Sequence, residues 1–190
     1  PEAGPRASAV GLAAVLRGGQ GAAEMRRDYF LRQCLRHPFV VAKVDRLLAG
    51  QRQQAVGEAD FNRPDDRALW RFVQRQAARW PVVAAEDLWD SLDDDFLRTR
   101  VQTLLSSSET PEPEPDRLPG RLVLSVLDWR LERLRGLMEE VEALFQQSQR
   151  EEDAELLAVY SQQLRELPLQ VLGLHKARGA MSAVVRWEGG

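Results

Sequence analysis

The chain is poor in the residue types that build most chemical sites. It has one cysteine, Cys34, in 190 residues, which excludes an internal disulfide and any multi-thiolate zinc centre. Cys34 stands among apolar residues and reads as a small core residue rather than a nucleophile. Such cysteine usage suits a reducing cytosol, so a cytoplasmic location is expected. The only histidines, His37 and His175, are far apart in sequence. His37 falls in a helix-stopping corner and reads as structural, and His175 reads as a surface residue. There is no paired-histidine metal motif, no glycine-rich phosphate loop and no nucleophile elbow. No catalytic site, cofactor or metal is therefore expected in this chain. No apolar run approaches the ~20 residues that span a bilayer, so no membrane partner is expected. Lysine is nearly absent. Among 26 basic residues only Lys43 and Lys176 are lysines, a bias that reads as the mark of a GC-rich genome. No segment shows strand alternation.

What is present is helical. Hydrophobic residues make up 44% and charged residues 29% of the chain, enough apolar surface for a packed core in one or two small domains. The last third carries the strongest pattern. Leu124, Leu127, Leu131, Leu134, Met138, Val141 and Phe145 follow one another in steps of three and four, the period of a helix presenting one narrow seam to another helix. The expected helix runs over 118–145. Leu157, Tyr160, Leu164, Leu167, Val171 and Leu174 repeat the pattern. The polar stretch Gln146 to Asp153 between them reads as a turn, giving an antiparallel helical hairpin. Pro168 is expected to kink its second helix, and Gly173 and Gly179 to weaken that helix further.

Ahead of the hairpin the sequence reads as a compact multi-helix bundle. A first helix over 23–36 would turn Met25, Phe30, Cys34 and Leu35 inward and stop at His37-Pro38, because the residue before proline avoids the helical region. Pro38 would open a second helix, with Val40, Val41, Val44, Leu47 and Leu48 inward and Gly50 as terminator. After a loop over 51–59, Phe61 reads as an anchor. Asn62, Pro64, Asp65 and Asp66 form a start signal for a helix packing through Leu69, Phe72, Val73, Gln76 and Trp80. A short helix over 85–92 follows. A further one opens at Asp94-Asp95 and packs through Phe96, Leu97, Val101, Leu104 and Leu105. Proline and glutamate alternate over 111–115, which cannot hold a helix. The expected organisation is all-α: 1–22 linker or tail, 23–106 bundle, 107–116 Pro/Glu-rich connector, 117–187 hairpin.

Two charged groups stand out. Glu86, Asp87, Asp90, Asp93, Asp94 and Asp95 could gather carboxylates for a cation, but helix capping and a solvated face account for them as well. Arg67, Arg71, Arg75 and Arg79 recur every fourth residue and line one helix face, a secondary contact face for phosphates or an acidic partner. The net charge of −3 and the lack of aromatics between those arginines argue against direct nucleic-acid binding. A two-helix hairpin has little interior of its own, so part of its apolar surface must meet the bundle or another protein. Met181, Val184, Val185 and Trp187 lie beyond the regular seam. The hairpin's far part combines apolar and basic residues, and Leu172, Leu174, His175, Lys176, Arg178 and Met181 are the expected partner-binding residues.

The order of parts resembles the C-terminal, helicase-binding domain of bacterial replicative primases of the DnaG type. The resemblance is carried by Tyr29-Phe30-Leu31 through Leu35-Arg36-His37-Pro38, by Phe61-Asn62-Arg63-Pro64-Asp65-Asp66-Arg67-Ala68-Leu69, and by Leu88 to Leu105 followed by a proline-rich gap and a helical hairpin. It implies a non-catalytic domain that tethers primase to the N-terminal domain of the hexameric replicative helicase during DNA replication and modulates both. The polymerase and zinc-binding parts of the primase would be joined through residues 1–22. The alternatives are a helical adaptor or regulator with an unrelated protein partner, and a nucleic-acid-binding module using the arginine stripe.

Overall fold

The helix-start and helix-stop residues set most of the element boundaries. The computed structural model describes residues 23–79, 94–106 and 114–187 together with Gly21 and Leu92, the side chains of 186 and 187 excepted. Helix α1 covers 23–36, and the amide of His37 closes on the carbonyl of Gln33 at 2.9 Å. Helix α2 is Val40–Gly50, α3 is Pro64–Arg79 and α4 is Asp95–Ser106. The hairpin is α5, Leu118–Glu151, and α6, Ala154–Trp187. Among the described residues the structure is all-α, with a single 3-10 turn at Glu58–Asp60 and no strand. The short helix expected over 85–92, Trp80, and most of the Pro/Glu connector lie outside the described residues, as do residues 1–20.

Several local expectations are corrected. The polar stretch after Phe145 is not a turn. The helix continues to Glu151, because Gln, Arg and Glu are good helix formers, and Gln147 Nε2 donates to Glu151 Oε1 at 2.8 Å one turn on. The link is only Glu152-Asp153. Glu152 takes the left-handed conformation at φ 56°, and the Asp153 carboxylate accepts the amides of Glu155 (3.1 Å) and Leu156 (3.0 Å) to cap α6. Pro168 does not split α6, which continues on both sides of this exposed residue, as the in-phase seam implies. Helix α2 ends at Gly50, as expected, and the left-handed position after it belongs to Arg52, at φ 56°. The Gln53 amide reaches back to the Leu48 carbonyl at 2.9 Å, and the Arg52 amide to Ala49 at 2.9 Å, a Schellman closure. Met25 and Phe96, expected inside, are exposed.

Glu152 has no need of a side chain at its left-handed position, where Cβ crowds the following carbonyl. Glu152→Gly is therefore expected to raise stability by about 0.5–1 kcal/mol, after allowing for glycine's extra freedom in the unfolded chain. Thermal unfolding should show Tm higher by about 2 °C for a chain of this size.

One core runs through the described residues, from Phe30 to Met181. Helix α1 is buried on nearly all sides at Phe30, Leu31 and Cys34, and burial pushes the Cys34 thiol up, far from reactive. The first half of α5 does not stand apart as a stalk. Leu118, Leu122, Val123, Val126, Leu127 and Trp129 are all buried in the same cluster as the bundle residues. Four aromatic rings from four elements meet at its centre. Phe30 meets Trp129 edge-on at 5.2 Å and Trp70 at 5.6 Å. Phe61 lies 5.6 Å from Trp70 and 6.1 Å from Trp129.

The arginine bias has a structural consequence, because the fork of a guanidinium can clamp more than one group, as Arg100 and Arg130 do. Arg100 bonds Asp28 of α1 and Asp66 of α3 at once. Arg36 reaches the Leu105 carbonyl at 3.2 Å. Arg130 holds the 51–60 loop: it pairs with both oxygens of Asp60, at 2.8 and 2.6 Å, and donates to the carbonyls of Gln54 (2.9 Å) and Ala55 (3.0 Å). A lysine has no such fork.

Candidate partner-docking surface

The hairpin helices are antiparallel. Asp128 bonds Arg178, Arg135 meets His175 at 3.3 Å, and Gly120 lies against Val185. A Cβ on Gly120 would sit 2.7 Å from Val185 Cγ2, so glycine is what allows the start of α5 and the end of α6 to close. Beyond Leu134, α5 and α6 pack mainly on each other, and the outside of the pair stays open. Leu137 and Leu144 of α5 are exposed, as are Leu156, Val159, Leu169 and Leu172 of α6.

The six expected partner-binding residues divide into two sets. Leu172 is 51% exposed, and Leu169, one turn before it, is 69% exposed. His175 and Lys176 are exposed beside them. Leu174 and Met181, by contrast, are 6% and 1% exposed and pack into the core with Ala177. They hold the hairpin together and are corrected from contact residues to core residues. The reason is the seam itself, whose steps of three and four continue from Leu174 through Ala177 to Met181 and face α5 throughout. Arg178 is exposed but spoken for: the hydrogen bond and charge of Asp128 hold its guanidinium above its ordinary range. Leu169 lies off the seam, so the period of three and four does not mark it. A large apolar residue at an outward helical position was the signal that could have found it.

The arginine stripe does line one exposed face of α3. Its members have separate fates. Arg67 Nε donates to the Phe61 carbonyl at 2.8 Å and fastens the turn into α3. Arg71 faces Glu58 at 3.7 Å. Arg75 and Arg79 border a shallow cleft of about 340 Å³ with Phe72, Gln76, Leu92, Asp94 and Leu97. Of the acidic cluster, only Asp94 and Asp95 are described. Asp94 accepts the amides of Phe96 (2.8 Å) and Leu97 (3.4 Å) as a helix cap, and Asp95 pairs with Arg98 at 3.1 Å. Glu86, Asp87, Asp90 and Asp93 lie outside the described residues. Among the described residues no group of acids, histidines and cysteine is placed to hold a metal, and no helix is long and apolar enough to cross a membrane.

Compared with protein-family models, with curated proteins and with solved structures, the chain matches none.

Proposed function

We propose that this chain is the helicase-interaction domain of a bacterial DnaG-type primase. In this reading it is a non-catalytic, cytoplasmic part of a DNA-directed nucleotidyltransferase. It holds the rest of the primase at the hexameric replicative helicase through the helicase's N-terminal domain, and modulates both. The order of its motifs supports the reading. So does the observation that carries it: a helical hairpin whose outer face keeps Leu169 and Leu172 exposed beside His175 and Lys176. Large apolar residues ringed by polar ones mark protein contact surfaces. A tether of this kind raises the local concentration of the priming enzyme at the fork without needing a tight single contact.

Removing residues 170–190 would not test this cleanly, since it strips Leu174, Ala177 and Met181 from the core. The exposed positions do. With the source organism's replicative helicase, calorimetry is expected to show binding by the parent chain. A Leu169→Glu, Leu172→Glu double variant should bind at least about tenfold more weakly, as hot-spot losses do, with unchanged helicity. A helicase lacking its N-terminal domain should not bind. No binding of the parent chain to the intact helicase would overturn the proposal and favour an adaptor with a different partner.

A further inference from the structure

The exposed apolar residues of the hairpin fall on two sides of it, and helical phase separates them. A step of about seven residues, or of about 18, returns to the same side of an α-helix. On α5, Leu137 and Leu144 stand one and two heptads after Arg130, whose guanidinium holds the 51–60 loop. On α6, Leu156 and Val159 stand 18 residues before Leu174 and Ala177, and Leu174 lines a cleft shared with the 51–60 loop. The side of the hairpin that meets the bundle therefore continues past the bundle. There it carries four uncovered apolar residues, 36% to 46% exposed. The contacts of Gly120 with Val185 and of Asp128 with Arg178 set the register, which brings Leu144 within about a turn of Val159. Leu169 and Leu172 precede Leu174 by five and two residues, rotations of about 140° and 200°, and so stand on the other side of α6.

The charge around the uncovered face has one sign. Residues 137–166 hold eight acidic residues and two arginines, a net charge of −6, against −3 for the whole chain. Glu151 follows Leu144 by one heptad, and Glu166 follows Val159 by one heptad, so both carboxylates share the side of those apolar residues. Both are exposed, and each accepts from a neutral glutamine, Gln147 at 2.8 Å and Gln162 at 2.9 Å. Arg150 and Arg165 each sit one residue before these glutamates, about 100° round the helix and off this face. Neither arginine forms an ion pair among the described residues. Solvation of a helix pair calls for charge, but not for four apolar residues set between the charges.

Charge selects the occupant. A second copy of the chain would set one −6 segment against another, and a nucleic acid or an anionic membrane is repelled in the same way. We propose that this face binds a basic amphipathic helix of a protein partner. Its apolar stripe lies on Leu137, Leu144, Leu156 and Val159, and its lysines or arginines meet Glu151 and Glu166. The bound helix extends over the second half of α5 the cover that the bundle gives the first half. The inference does not rest on the helicase reading, which uses the other side of α6, and its test involves no helicase.

The test titrates three short fluorescent peptides against the full chain. The first carries leucine along one helical face and lysine elsewhere. The second has glutamate in place of lysine, and the third shuffles the first so that no apolar face forms. The expected result is saturable binding of the first alone. Leu144→Gln combined with Val159→Gln should weaken it by about tenfold or more, the scale of lost apolar anchors. Glu151→Gln combined with Glu166→Gln should weaken it by about fivefold, and by less as salt is raised. All four positions are exposed, so circular dichroism of both variants should match the parent. Leu169→Gln combined with Leu172→Gln should leave the binding unchanged. Failure of the first peptide to bind, equal binding of the shuffled peptide, or a loss confined to the Leu169, Leu172 variant overturns the proposal. So does a dimer of the parent chain, seen by sedimentation, that dissociates in the Leu144, Val159 variant, since the face then belongs to a second copy.

Discussion

Arg130→Met is expected to cost about 3–5 kcal/mol of folding free energy at neutral pH, the scale of breaking a buried ion pair from one side. Asp60 and Arg130 are both buried, and the pair spans 70 residues of sequence. Removing the guanidinium leaves the Asp60 carboxylate without its counter-charge and orphans the carbonyls of Gln54 and Ala55. Burial by itself would push the Asp60 carboxyl up. The hydrogen bonds and charge of Arg130, the Gly57 amide and the charge of Arg133 reverse that and hold it below the usual carboxylate range. The sign of the pH dependence follows. With its folded pKa depressed, Asp60 contributes stability that is fully present above its unfolded pKa of about 3.9, and that stability is lost as pH falls through the folded value. In the variant the carboxyl is raised instead, so acid relieves it. The deficit measured by urea unfolding should therefore be greatest near neutral pH and shrink as pH falls. A double Asp60→Leu, Arg130→Met variant should recover much of the loss, since no charge is then left buried. A loss under about 1 kcal/mol in the single variant, the scale of an exposed pair, would mean that other contacts hold the 51–60 loop.

Trp129→Ala should cost a similar amount, about 3–5 kcal/mol, by removing a large buried ring and leaving a cavity among neighbours that cannot all collapse into it. Phe30 and Phe61 both lie against this ring, and Arg27 stacks over it at 5.9 Å while its Nε donates to the Asp60 carbonyl at 3.2 Å. The loss would therefore reach the arginine clamp as well as the core. Trp129→Phe should cost much less. It keeps an aromatic in place and removes an indole N–H that is buried with no hydrogen-bond acceptor. Chemical denaturation of the two variants separates ring volume from the unmet donor. Equal losses in the two would show that the core tolerates no change of shape here.

The two clusters explain how the expected hairpin relates to the expected bundle. Composition suggested a division at the Pro/Glu stretch, and the hairpin's thin interior implied that part of its apolar surface meets the bundle or another protein. Yet Trp129 and Arg130, neighbours on α5, turn to the aromatic centre and to the 51–60 loop respectively. The first half of α5 thus serves two layers, the bundle and α6, while the second half serves mainly α6. That asymmetry leaves the distal part of the hairpin with uncovered apolar residues and places the proposed contacts there.

The sequence by itself determined the helices and their order. Apolar steps of three and four, proline and aspartate at helix starts, and Gly50 as the end of α2 are local signals, and local hydrogen bonding answers to them. It also marked the seam as far as Leu174, and only the structure carried that seam on to Met181 and turned both residues from contact residues into core. Tertiary structure alone decided the rest. Nothing in the spacing of Phe30, Phe61, Trp70 and Trp129 says that they meet, nor that Asp60 answers Arg130, nor that Met25 and Phe96 face outward. A helix's apolar arc fixes which side can be buried. What buries it depends on which distant elements bring matching shape and charge, and that is settled only when the whole chain packs.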